Sequence, residues 1–179
     1  MNFFRLFGLN GRQYAARAMV LLIFLPWAAG VAAQSRGAEL SYAIKAYKNN
    51  DFHTATRIFK KHAMLGNAES QRYLGQMYDR GLGLPQDYKK AVTWYRKAAI
   101  QKDPAAQYLL GVKFANGHGI SENNKSAYMW FALAFDNGYQ LAASPLKVLN
   151  RAMSTRDRQE ALILAVKFRT GQLQLDRIP

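Results

Sequence analysis

The chain has 179 residues, with 25 Lys and Arg against 11 Asp and Glu and a formal net charge of +14. It contains no cysteine, which excludes disulfides, thiolate metal sites, a lipoprotein anchor cysteine and a cysteine nucleophile. So basic a surface suits acidic protein faces, anionic polysaccharide, lipid headgroups or nucleic acid, or simply a well-solvated exterior.

Residues 1–33 read as a targeting segment. Arg5, Arg12 and Arg17 form a basic start without an acid, the apolar run from Ala18 to Leu25 follows, and Pro26 breaks it. Val31-Ala32-Ala33 then offers the small side chains that a signal peptidase reads, before polarity rises at Gln34-Ser35-Arg36. The pattern predicts a secretory signal peptide cleaved after Ala33. An uncleaved signal anchor is the rival, but the stretch from Ala18 to Ala33 has about 16 mostly apolar residues, short of the roughly 20 a spanning helix needs. Export without cysteine suggests a bacterial envelope, periplasmic or secreted.

An internal repeat decides the architecture. Leu74-Gly75, Gly81-x-Gly83, Ala91 and Trp94-Tyr95 recur 36 positions later as Leu110-Gly111, Gly117-x-Gly119, Ala127 and Trp130-Phe131. Units this small cannot bury their own apolar faces, so they must stack and share one core. In the first clear unit Asn67 caps a helix A that ends near Arg80, Gly81 supplies a left-handed stop, and Asp87 caps a helix B. Helix B carries Ala91, Trp94, Tyr95, Ala98 and Ala99 on one face, and the next unit repeats this as Ala127, Trp130, Phe131, Ala134 and Phe135. Its helix A is capped by Asp103, with Pro104 in the first turn. Gly75 and Gly111 fall mid-helix, which predicts a close approach of the two helices of each hairpin.

The flanking units are degenerate. A first helix pair runs from about Ala38 to Leu65, with a shorter loop. At the far end Ala142 and Leu146 keep the phase of helix A, and Ser154 or Thr155 caps a last helix that turns Leu162, Ala165, Val166 and Phe168 to one side. The expected divisions are a signal peptide at 1–33, a degenerate pair at 34–66, repeats at 67–102 and 103–138, a capping pair at 139–170 and a flexible tail at 171–179. The fold class is an all-α solenoid of about four antiparallel helix pairs.

These motifs resemble the Sel-1-like repeat, a relative of the tetratricopeptide repeat. The match runs through Leu74-Gly75, Tyr78, Gly81, Gly83, Asp87, Lys90-Ala91, Trp94-Tyr95 and Lys97-Ala98-Ala99. The next unit follows it at Ala106, Leu110-Gly111, Phe114, Gly117, Gly119, Ala127, Trp130-Phe131 and Ala134, and departs at Asn123, Ser126 and Leu133. The resemblance implies a right-handed superhelix that assembles or regulates other proteins, often exported in bacteria. Cysteine-rich relatives handle β-lactams, an activity not carried over to a chain without cysteine.

No constellation of acid, base, nucleophile or metal ligand appears, and no cofactor motif. His53 and His62 lie about 180° apart on one helix, and His118 is a variable loop-tip residue; all three read as exposed or cap-adjacent. The segment Gly81-Leu82-Gly83-Leu84-Pro85 lacks the strand and the Lys-Ser/Thr of a phosphate loop. Two surface features remain. With Ser70, Leu74 and Tyr78 in the core, Arg72, Gln76 and Arg80 face a groove, as do Tyr108, Val112 and Asn116 in the next unit. Lys60, Lys61, Lys89, Arg96, Lys97 and Lys125 repeat in phase as a basic ridge on the helix B side. The first feature predicts a non-catalytic adaptor that binds another protein, an acidic one among the candidates. The second predicts a binder of anionic glycan or surface. Nucleic acid is disfavoured, because the aromatics occupy core positions, and the membrane enters only through an uncleaved signal.

Overall fold

In the computed structural model residues 34–173 are described; the expected signal segment and the end of the expected tail, 174–179, lie outside the described residues. Helix α1 covers residues 34–48. It is followed by α2 (Phe52–Met64), α3 (Ala68–Arg80), α4 (Tyr88–Ile100), α5 (Pro104–Asn116) and α6 (Asn124–Asp136). A 3₁₀ turn (Gln140–Ala142) then leads to α7 (Ala143–Ala152) and α8 (Thr155–Arg169). No strand occurs among the described residues. The chain divides into two compact units, Met1–Tyr42 and Ala43–Pro179. The described part of the first is helical and largely exposed; the second holds the repeats.

Capping sets the period. Asp51, Asp87 and Asn123 each accept a hydrogen bond from the backbone N–H three residues on, at the starts of α2, α4 and α6. Asn67 and Asp103 do the same for α3 and α5. Each cap supplies an acceptor to a helix end that would otherwise lack one, a contribution of about 1 kcal/mol. At the other end Gly81 (φ 68°) and Gly117 (φ 66°) take the left-handed conformation and close α3 and α5.

The mid-helix glycines answer the expected close approach. A β-carbon on Gly75 would lie 2.6 Å from the Tyr95 ring, and one on Gly111 would lie 2.8 Å from the Phe131 ring. The aromatic side chain of helix B thus lies against the backbone of helix A in each hairpin. The core continues through Ala91, Ala98, Ala99, Ala106, Leu110, Phe114, Ala127, Trp130 and Ala134. A second cluster toward the N-terminus joins Ala43 and Ala46 to Ala55, Ile58, Phe59 and Met77.

Two buried glutamines tie successive helices together. Gln71 on α3 donates to the Ala63 carbonyl in the last turn of α2 (3.1 Å) and accepts from Gln101, the residue closing α4 (2.8 Å). Gln107 on α5 repeats this with the Ala99 carbonyl of α4 (3.1 Å) and Asn137, the residue closing α6 (2.9 Å). Each amide therefore clasps three consecutive helices and adds a second hydrogen bond to a helix-end carbonyl that already accepts a turn N–H.

Several expectations about faces are corrected. Trp94 is half-buried, with the Lys97 ammonium 4.3 Å from its ring centre, whereas Trp130 is fully buried and meets Phe168 edge-on. The difference arises because α8 packs closely against α6 and covers Trp130, and α4 has no such cover. Phe135 is exposed, though its counterpart Ala99 is buried. In α8 the inward residues are Ala161, Leu164, Ala165 and Phe168; Leu162 and Val166 face solvent. The last helix is rotated because Ala161 and Ala165 are the side chains small enough to let it lie close to α6. Helix A of the last unit is also broken: Ala142 sits in the 3₁₀ turn, and Tyr139 stands where a cap is needed and makes no side-chain cap bond.

Ser70 Oγ is buried without a hydrogen-bond partner, and the next unit has Ala106 at that place. Ser70→Ala is therefore expected to raise the unfolding free energy by about 1 kcal/mol in a urea titration. Gln107→Leu removes the side-chain donor to the Ala99 carbonyl, which keeps its bond from the Lys102 N–H, and the acceptor of the exposed Asn137 amide, and is expected to cost about 1 kcal/mol in the same measurement.

Candidate functional site

The six residues expected to share a groove do not form one surface. Arg72 is half-buried; its guanidinium binds Asp103 (3.2 Å) and Glu69 (3.4 Å) and lies over the Tyr73 ring, so it locks α3 to the start of α5. Gln76 is half-buried. Arg80 is exposed and lines a separate depression of ≈ 340 Å³ with Tyr47, Lys48, Asn50, Phe52 and Leu82. Tyr108 packs its ring against Phe131 (5.5 Å) and Tyr139 (5.1 Å). Val112 and Asn116 are the pair the structure brings together.

They line a groove of ≈ 230 Å³ with Ala115, Phe131, Pro145, Val148 and Leu149. Its walls are α5, α6 and α7. Helix α7 opens it by leaving the position a regular helix A would take. Thirty-six residues beyond Gln107 stands Ala143, so the clasp onto the end of α6 has no donor, and thirty-six beyond Asp103 stands the non-capping Tyr139. Helix α7 accordingly packs on α6 more sparsely than α5 does on α4. It keeps Leu149 and Leu146 against the core and leaves Val148 63% exposed; Leu141, in the turn before it, is 66% exposed. The α7 residues Lys147 and Arg151 are exposed beside this stripe and have no ion-pair partner among the described residues. Helices α5 and α7 contain no acid, and the Asp136 carboxylate of α6 is held by Arg169 at 2.8 Å. The groove was illegible beforehand because its far wall depends on where an irregular helix lands.

The basic ridge is uneven. Lys60, Lys61, Lys89 and Lys97 are exposed, but Arg96 is half-buried, and burial lowers its pKa. Lys125 ends the ridge in an ion-pair cluster with Glu160 (2.9 Å) and Asp157 (3.4 Å), and the Glu160 carboxylate chiefly raises its pKa. Of the histidines, His53 and His118 are exposed, His118 stacking on Tyr88 at 5.2 Å. His62, in the last turn of α2 beside its C-cap, is cap-adjacent and buried. No group of three His, Asp or Glu side chains suited to a metal occurs among the described residues.

One polar cluster went unread in the sequence. Lys113 on α5 is 5% exposed and pairs with Asp79 on α3, which also accepts from the Tyr95 hydroxyl on α4 (3.2 Å). Burial first, and then the Asp79 charge, push the Tyr95 phenol far above its ordinary range. Each charge has its partner, so the cluster fastens three helices rather than offering a reactive group. It does not repeat, since the other units have Ala115 and Met77 at these positions, so no period could reveal it.

Comparison with known proteins fits this geometry. The model of the Sel1 repeat matches residues 68–103 and again 104–139. Among solved structures, the chain is similar to a protective antigen present in uropathogenic Escherichia coli strains and displaying an SLR fold, at 24% identity and a TM-score of 0.71. That match covers 86% of this chain and 32% of the antigen. A Sel1 repeat protein from Oxalobacter formigenes is similar at 29% identity and a TM-score of 0.59, over 63% of this chain and 47% of its own. The chain thus spans less than half the length of either. A search of curated proteins finds no match. Sel1 repeats generally serve as non-catalytic scaffolds for protein interaction. Residues 68–139 of this all-helical fold thus carry two Sel1 repeats in tandem.

Proposed function

We propose that the protein is an exported adaptor of a bacterial envelope, which binds a segment of another protein in the groove between α5, α6 and α7. Export is supported by the three-part pattern of residues 1–33, and no helix among the described residues is long and apolar enough to cross a membrane. The observation that carries the binding reading is the open apolar groove of half-buried Val112 and exposed Val148 over the buried Phe131 ring, built from three helices and filled by nothing among the described residues. Interior repeats bury such side chains; an apolar concavity left open on a well-packed scaffold is the usual form of a peptide site.

A photo-crosslinking residue at Val148 is expected to capture a discrete protein species in the native envelope, and the same residue at Lys60 to capture none. Equal capture at both sites, or none at Val148, overturns the groove. Val148→Glu is expected to weaken capture by an untagged competitor about tenfold with the circular dichroism melt unchanged, because the side chain stands largely in water. For export, amino-terminal sequencing of the purified protein is expected to begin at Gln34; a start at Met1 overturns cleavage.

A further inference from the structure

We infer that the groove's occupant is an amphipathic helix of another protein with carboxylates along one edge of its apolar face. The inference rests on the groove reading above. Three observations name this chemistry. The walls are all helical and offer no unpaired strand edge among the described residues, so an extended peptide gains no backbone hydrogen bonds there. The groove's far wall is itself helical in spacing: Pro145 and Val148 of α7 stand one turn apart, and Leu141 is exposed in the 3₁₀ turn before them, so the apolar run is about two turns of a partner helix long. The rim is positive and uncompensated, since Lys147 and Arg151 are one turn apart beside Val148 and no acid lies on α5 or α7.

A second copy of this chain is the natural rival, because α8 exposes its own apolar stripe of Leu162, Ile163 and Val166. That stripe is bordered by Arg158 and Lys167, with no ion-pair partner among the described residues, and by Arg156 and Arg169, paired with Glu160 and Asp136, while Asp157 and Glu160 are also engaged by Lys125. Seating it in the groove would set basic residues against Lys147 and Arg151. Like charges at a rim slow encounter and reject a partner, so electrostatics select an acidic helix and disfavour self-association.

The test uses two synthetic amphipathic peptides about four turns long, with the same leucine face and either glutamates or lysines elsewhere. Their binding to the full chain is read by fluorescence anisotropy. The glutamate peptide is expected to bind about tenfold more tightly than the lysine peptide. Lys147→Glu/Arg151→Glu is expected to abolish or reverse that preference, and Lys60→Glu/Lys89→Glu, which changes net charge equally, to leave it intact. All four side chains are exposed, so the folds are expected to survive. Equal affinity for the two peptides, binding of neither, or loss of preference in both double variants overturns the inference. Binding of the glutamate peptide that ignores Val148→Glu shows the groove itself to be misassigned. Binding weakened by Val148→Glu without charge preference leaves the groove standing and removes the acidic helix. Concentration-dependent dimerisation abolished by Val148→Glu would put a second copy in its place.

Discussion

The stacking of one hairpin on the next is tied by a side-chain amide repeated once. Gln71 and Gln107 each reach back to the end of the preceding helix and forward to the close of the following one. A helix C-terminus leaves carbonyls without partners, and burying them against a neighbouring hairpin would be unfavourable unless something donates. The turn N–H groups of Gly66 and Lys102 donate to the Ala63 and Ala99 carbonyls, and the glutamine of the next unit adds a second bond to each, which ties the distance and the register at which hairpins stack. Apolar packing alone would tolerate sliding, since alanine faces such as Ala98 and Ala134 offer little relief. A directional bond to a single carbonyl does not.

The same rule explains where regularity stops. The unit after Asn137 lacks the amide at Ala143 and the cap at Tyr139, so helix A begins as a 3₁₀ turn and α7 drifts. Helix α8 then comes in against α6 on its two alanines and covers Trp130. The opening flanked by Val112 and Val148 is the space this displacement leaves. The open groove thus arises from two missing polar groups rather than from an added element.

How much of this was legible in the sequence follows from what repeats. The caps, the left-handed glycines and the pressed rings on Gly75 and Gly111 recur at constant spacing, and each has one local physical meaning, so they could be read directly. Gln71 and Gln107 recur as faithfully, but glutamine has no single role, and a buried amide is visible only once its acceptor is placed. Asp79 with Lys113 was beyond reach, because a pair that occurs once has no period. The outward residues failed for another reason: Arg72 and Tyr108 lie on the expected side, yet long side chains fold down onto neighbouring helices when a partner such as Asp103 or Phe131 is near. Direction from the helix wheel says where a Cβ points, not where a guanidinium ends.

The unlike settings of Trp94 and Trp130 have a practical consequence. One indole is partly wet and neighbours an ammonium; the other is dry and wedged beneath the closing helix. With Trp27, the third tryptophan, removed along with residues 1–33, their emission is expected to separate into a red and a blue component, and quenching by iodide to reach the first ahead of the second. Fraying of the carboxyl-terminal cap would register as a red shift of the blue component alone, which gives the protein an intrinsic optical gauge of which end loosens first.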